Sequence, residues 1–182
     1  GLRRGPPLRA VRLGADRVRG VPGGGGGGRP GGQREGPRPL LPVLSELCLW
    51  AADLGRWRPP RLPAEVEVRE LPPDLRSDLI DAMGAEGDLV DLRQQRRSRC
   101  FVATRGHRVL GYGWLSEHVE WIGEIRLEIV PAAGEAYLWN CVTLPAHRRT
   151  GIFTSLLVSV AGRLQAQGLS RSWIASAGGA ER

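Results

Sequence analysis

The chain has 182 residues, 41% apolar and 25% charged, the size and balance of one globular domain. No apolar run approaches the roughly eighteen residues that a membrane-spanning helix needs, which argues against a membrane partner. Cys48, Cys100 and Cys141 are widely spaced without a C-x-x-C, and His107, His118 and His147 form no H-x-x-x-H pair. These spacings exclude a disulfide framework and a metal site of the usual patterns, and point to a reduced, cytoplasmic setting.

The net charge of +7 is unevenly spread. Residues 1–63 carry 12 Arg against 4 acids, whereas residues 64–182 carry 14 Arg against 15. Every basic residue is Arg, and the excess belongs to the first third alone. The same third holds 14 of the 26 Gly and 10 of the 14 Pro, including the unbroken run Gly23 to Gly28. So little apolar surface does not offset the entropy of ordering, which predicts disorder over residues 1–38. Leu40, Leu41, Leu44, Leu47, Cys48 and Ala51 recur at helical spacing and predict a short helix within residues 40–54. Pro59, Pro60 and Pro63 stop it. An Arg/Gly-rich tail is also a nucleic-acid-binding composition. Here Trp50 and Trp57 lie outside the glycines, so residues 1–63 read as linker or upstream sequence.

The folded domain is expected over residues 64–182. Glu65 to Leu71 alternates charged and apolar residues, as a half-buried strand does. Asp74 is placed to cap a helix carrying Leu75, Leu79, Ile80 and Met83 on one face before Gly84. Asp88 to Arg97 predicts a second helix, with Leu89, Val90 and Leu92 inward and Arg93, Arg96 and Arg97 outward. Cys100–Thr104 and Val109–Ser116 predict strands joined by a hairpin turn at Arg105–Arg108. Glu124–Val130 alternates again, with Ile125, Leu127 and Ile129 on one face. Ala136–Leu144 is an apolar run suited to a central strand buried on both sides. Ile152, Phe153, Leu156, Leu157, Val160 and Leu164 then mark an amphipathic helix ending at Gly168, and Ser172–Ser176 a last strand. Strand, helix and strand in that order require a parallel pair with a crossover. The fold class is α/β.

The loop between the apolar strand and the last helix carries the chemistry. Arg148-Arg149-Thr150-Gly151 opens that helix, so backbone N–H groups and the positive end of the macrodipole face whatever sits in front. Gly151 permits close approach and the two arginines add countercharge, which together suit a pyrophosphate. An R-x-x-G alone is weak. Chance gives roughly four in this composition, and four occur, starting at Arg17, Arg29, Arg108 and Arg148. Only the one at Arg148 stands between an apolar strand and an amphipathic helix.

With that context, residues 136–155, AYLWNCVTLPAHRRTGIFTS, resemble the acetyl-CoA-binding motif of the GCN5-related N-acetyltransferases (GNAT). Thr143-Leu144-Pro145 stands at the strand end, and Arg148 to Phe153 at the R-x-x-G-x-[GA] loop. Phe153 replaces the second small residue of that pattern, so its side chain has to turn into the core. The resemblance spans about residues 65–176. It implies an acyl-CoA N-acyltransferase-like mixed sheet flanked by helices, here C-terminally incomplete: the family's further helix and two strands, and the tyrosine that helix often carries, lie beyond the pattern seen here. It also implies acetyl transfer from acetyl-CoA by direct attack of an amine, from a small-molecule or protein acceptor. The backbone of Cys141, Val142 and Thr143 would align the pantetheine arm. Arg148, Arg149, Thr150, Gly151, Ile152, Phe153 and Thr154 would hold the pyrophosphate. Glu124, Glu128 and Glu135 are the candidate bases, with Glu128 and Glu135 foremost, and Tyr137, Trp139 and Asn140 candidates to line the acceptor pocket. Cys141 lacks an evident base partner and reads as a buried strand cysteine. The near-neutral charge of residues 64–182 argues against a nucleic-acid partner. The alternatives are a non-catalytic acyl-CoA-binding fragment and a nucleic-acid-associated protein acting through its Arg/Gly tail.

Overall fold

The computed structural model describes residues 9–10, 18–20, 47–60, 62, 65–122 and 127–177. In chain order they form β1 (Arg9–Ala10), β2 (Val18–Gly20), β3 (Leu47–Asp53), β4 (Glu67–Glu70), α1 (Arg76–Met83), α2 (Val90–Gln95), β5 (Arg99–Arg105) and β6 (Arg108–Ser116). There follow β7 (Glu120–Ile122), β8 (Leu127–Ile129), β9 (Glu135–Thr143), α3 (Ile152–Ala166) and β10 (Arg171–Ala177). Seven strands make one mixed sheet in the order β1-β3-β10-β9-β6-β5-β4. Its β9–β10 pair is parallel and its other pairs are antiparallel. The expected strand–helix–strand step is therefore present. β2, β8 and β7 form a second, smaller antiparallel sheet.

Period-two alternation divides the side chains between the two faces of the large sheet. Phe101 and Ala103 of β5 join Leu110, Leu115, Ala136 and Leu138 on one face, under Ile152, Leu156, Val160 and Leu164 of α3. Cys100 and Val102 join Tyr112 and Trp114 on the other, under Leu75 just before α1, Leu79 and Met83 of α1 and Val90 of α2. A third cluster, Ile129, Tyr137 and Trp173, lies under the small sheet. Gly168 follows the last turn of α3 at φ +84°, as a C′ glycine does.

The structure corrects several expectations. Residues 47–53 form strand β3 and not part of a helix. Leu47-Cys-Leu-Trp-Ala-Ala-Asp53 fits either period, as short apolar runs do. The free edge of β10 decides for a strand, with seven register pairs from Arg171↔Asp53 to Ala177↔Leu47. The rest of the expected helix, residues 40–46, lies outside the described residues, as does most of 1–38. Within that stretch Arg9–Ala10 pairs with β3 and Val18–Gly20 with β8. Leu54, fully buried, ties β3 into the main core; its N–H donates to the Ser170 carbonyl at 3.0 Å, and its carbonyl accepts Gln165 Nε2 at 2.6 Å.

Asp74 does not cap α1. It lies within a 3-10 turn, Pro73–Leu75, and no side chain caps the α1 N-terminus. Asp78 instead accepts the Val109 N–H at 2.8 Å and ties α1 to β6. The second helix is short, because residues 84–89 are 3-10 and only 90–95 are α-helical. Leu89 and Leu92 are exposed, and Arg93 turns inward. Its guanidinium lies 5.2 Å from the Trp114 ring and 4.9 Å from the Trp139 ring, an attraction that helical spacing alone does not reveal.

Candidate functional site at a splayed parallel strand pair

β9 and β10 pair only from Glu135↔Arg171 to Leu138↔Ile174. Beyond that, β10 continues on β3 and β9 continues on β6, and the two strands part. From Trp139 to Thr143 the β9 edge toward β10 has no strand partner among the described residues, which leaves backbone groups along it to bind an extended ligand.

A bulge in β9 lies at the point of divergence. Tyr112 pairs with Val142 and Trp114 with Trp139, so Gly113 alone opposes both Asn140 and Cys141. Asn140 adopts φ +42°, a region that Asn tolerates better than most residues. Its Nδ2 donates to Glu86 Oε2 at 2.8 Å, and Arg93 Nη2 pairs with the same oxygen at 2.7 Å. Trp139 and Asn140 thus both address the α1–α2 face. Cys141 Sγ lies against Gly113 and Leu156 on the α3 face, where a Cβ at position 113 would sit 2.9 Å from the sulfur. Burial pushes the Cys141 thiol up to about 12, so it stays protonated at neutral pH. Burial likewise raises the Cys100 thiol, far above its ordinary range.

The loop beyond β9 opens at the same end of the sheet. A 3-10 turn, Pro145–His147, follows the strand, and Thr150 Oγ1 donates to the His147 carbonyl at 2.6 Å. Arg149 and Gly151 take φ +63° and +81°, and Gly151 is the N-cap of α3. The Ser155 N–H donates to the Gly151 carbonyl at 2.9 Å, closing the first turn. The N–H groups of Ile152, Phe153 and Thr154 precede that bond and have no intrahelical acceptor. Arg148 and Arg149 are exposed, and neither has an ion-pair partner among the described residues. A helix N-terminus with two unpaired guanidinium groups beside it is suited to an anion. Phe153 does not turn into the core, because it projects outward one step around α3 from buried Ile152 and stays 44% exposed.

The structure brings together residues 141–143 and 148–154, but it does not bring Glu128 and Glu135 to them. Glu135 is at the far end of β9, buried, paired with Arg171 at 3.0 Å and accepting Trp173 Nε1 at 2.9 Å and the Ala132 N–H at 3.3 Å. Glu128 is opposite Trp121 in the small sheet. Its neighbour Ile129 enters the core, so by alternation Glu128 faces the other way, with exposed Trp121. Glu124 lies outside the described residues. Sequence reasoning passed over Glu120 on β7, which is buried against Ser98 and Ser116. Its alternation with Trp121 was the available signal, in a strand of only three residues.

The comparisons with known proteins agree with this architecture. The Acetyltransferase (GNAT) family pattern matches residues 65–179, more than half of the chain. No curated protein matches the sequence. Among solved structures, a GCN5-related N-acetyltransferase from Sphaerobacter thermophilus aligns at TM-score 0.54 and 16% identity, over 75% of this chain and 44% of its own. A GCN5-related glucosamine N-acetyltransferase region of a fungal multi-domain GH3 β-N-acetylglucosaminidase aligns at TM-score 0.55 and 14% identity, over 71% of this chain and 18% of its own. At such identities the likeness is one of fold. The chain belongs to the GNAT acetyltransferase family.

Proposed function

We propose that the chain transfers an acetyl group from acetyl-CoA to an amine, with the thioester lying in the gap between β9 and β10. The observation that carries this reading is the unpaired β9 edge leading directly to the uncapped N-terminus of α3. An extended pantetheine arm carries amide groups that match a free strand edge, and a pyrophosphate matches the donors at residues 148–154. The residues present therefore fit acetyl-CoA, which supplies an acyl group activated for attack by an amine.

The chain's own groups divide the work. The backbone of Cys141, Val142 and Thr143 aligns the arm, and an N–H past the bulge donates to the thioester carbonyl oxygen as charge develops there. Arg148 and Arg149 supply charge, and the N–H groups of Ile152, Phe153 and Thr154, with Thr150 and Gly151 shaping the turn, supply direction. The acceptor approaches from the α1–α2 face, over Trp139 and Asn140. Cys141 takes no covalent part, since its thiol is held up at about 12.

Calorimetric titration of acetyl-CoA into the full chain, followed by a thiol-release assay with amines, tests the reading. Binding with thiol release is expected. Binding without release to any amine would instead describe a non-catalytic acyl-CoA-binding protein, and no binding by folded chain would overturn the reading.

A further inference from the structure

Glu120 is a buried carboxylate with 9% of its surface exposed. No cation pairs with it among the described residues. Its Oε2 accepts the Ser116 hydroxyl at 2.6 Å and the Ser98 hydroxyl at 3.2 Å. The two hydroxyls are 2.9 Å apart, and Ser116 Oγ also accepts Trp139 Nε1 at 3.1 Å. Trp139 is the first β9 residue past the last pair with β10. The hydrogen-bonded chain Glu120–Ser116–Trp139 therefore links a buried carboxylate, through a hydroxyl that is itself 3% exposed, to the first β9 residue past the parallel pair.

The other carboxylates near this face are committed. Glu86 is tied to Arg93 and Asn140, Glu135 is saturated by Arg171, Trp173 and Ala132, and Glu128 faces outward. The neighbouring charges are also directed elsewhere. Arg99, next to Ser98, pairs with Glu70 and Glu117, and His118 is exposed. Tyr137, in register with Ser116, is buried in the cluster under the small sheet.

We infer that Glu120 is the base for acetyl transfer, taking a proton from the acceptor ammonium through the Ser116 hydroxyl. This rests on the acetyl-transfer reading above. The ammonium proton passes to Ser116 Oγ as the Ser116 proton passes to the Glu120 carboxylate. The freed nitrogen lone pair forms the N–C bond at the thioester carbonyl, and the C–S bond breaks. The proton lost from that nitrogen ends on the leaving sulfur, and Glu120 returns its own to solvent. Sum: ammonium and acetyl thioester become amide, thiol and one proton.

The test compares thiol release from acetyl-CoA with two probe amines at neutral pH. Ethanolamine is then mostly protonated and needs a base; methoxyamine is neutral and does not. Glu120→Gln keeps the shape and the hydrogen-bond acceptor. The expected result is a fall of about 100-fold or more with ethanolamine, little change with methoxyamine, and unchanged acetyl-CoA affinity. Ser116→Ala should show the same amine-dependent pattern to a smaller degree, and it carries the test if Glu120→Gln does not fold. Equal losses with both amines would mark a structural role and overturn the inference, as would no loss with either. A wild-type chain that binds acetyl-CoA but releases no thiol to either amine would also overturn it. Absence of acetyl-CoA binding would remove the acetyl-transfer reading and this inference with it.

Discussion

Gly113 lies so close to Cys141 that a Cβ on the glycine would sit 2.9 Å from the sulfur and 3.0 Å from Leu156 Cδ2. The bulge at the point of divergence is thus built on the absence of a side chain across from it. Gly113→Ala should cost about 1–3 kcal/mol, as overpacking of a tight interior does. It should also weaken acetyl-CoA binding, because the atoms that must shift are those of the bulge and of α3. Thermal unfolding and calorimetry on the same variant check both halves.

Gly111 makes the same point two residues earlier in β6. A Cβ there would meet the Val142 carbonyl oxygen at 2.7 Å and Ile152 Cγ2 at 2.9 Å. The first contact is with backbone, which yields less readily than a side chain. Gly111→Ala should therefore reduce acetyl-CoA affinity at least as much as Gly113→Ala, measured by titration.

Glu135 and Arg171 lie at the end of the parallel pair away from the splay, with Glu135 nearly enclosed and Arg171 43% exposed. Glu135→Ala should destabilise by about 1–3 kcal/mol, since it removes the acceptor of Trp173 Nε1 in a buried site while the Arg171 guanidinium keeps access to solvent. Acetyl-CoA affinity of the remaining folded protein should be unchanged. A variant of normal stability with collapsed thiol release would instead restore Glu135 as a base.

Leu54 reads out the contribution of β3. It is fully buried and outside the residues matched by the family pattern. Leu54→Ala should cost about 2–5 kcal/mol in chemical unfolding. A change under about 0.5 kcal/mol would mean that β3 is not part of the cooperative unit.

The element pattern over residues 65–177 was largely legible from the residues themselves. The α3 stripe, its C′ glycine and the β5–β6 hairpin are local, and local periodicity records them. β3 was misread because its helical and strand patterns coincide, and the deciding partner, β10, lies some 120 residues away. Arg93 was misplaced because an Arg on a helix is ordinarily solvated, and only the Trp114 and Trp139 rings turn it inward. For the site, the loop at residues 148–154 was visible as a motif in context. The bulge at Asn140, the splay beside it and the burial of Glu120 depend on cross-strand register, which a single sequence does not display.

Cys141 gives a pH dependence with a definite sign. Its ordinary value is 9.0, and burial raises it to about 12. Below pH 9 both native and unfolded chains hold the proton and nothing changes. Between about 9 and 12 the unfolded chain releases it while the native chain retains it, so stability falls as pH rises through that window. Cys141→Ser should make that fall shallower, leaving the share of Cys100, whose thiol burial also raises, as followed by chemical unfolding at several pH values. Alkylation of Cys141 in the native protein should stay slow at pH 8.

The central claim is that the acyl thioester and its diphosphate lie along the freed edge of β9 and the first turn of α3. Amide chemical shifts of the isotope-labelled full chain, followed during acetyl-CoA titration, test it most directly. The account predicts saturable shifts concentrated at Cys141 to Thr143 and at Arg149 to Thr154, weakened together in Arg149→Ala. Saturable shifts centred elsewhere, with those backbone amides unmoved, would contradict it.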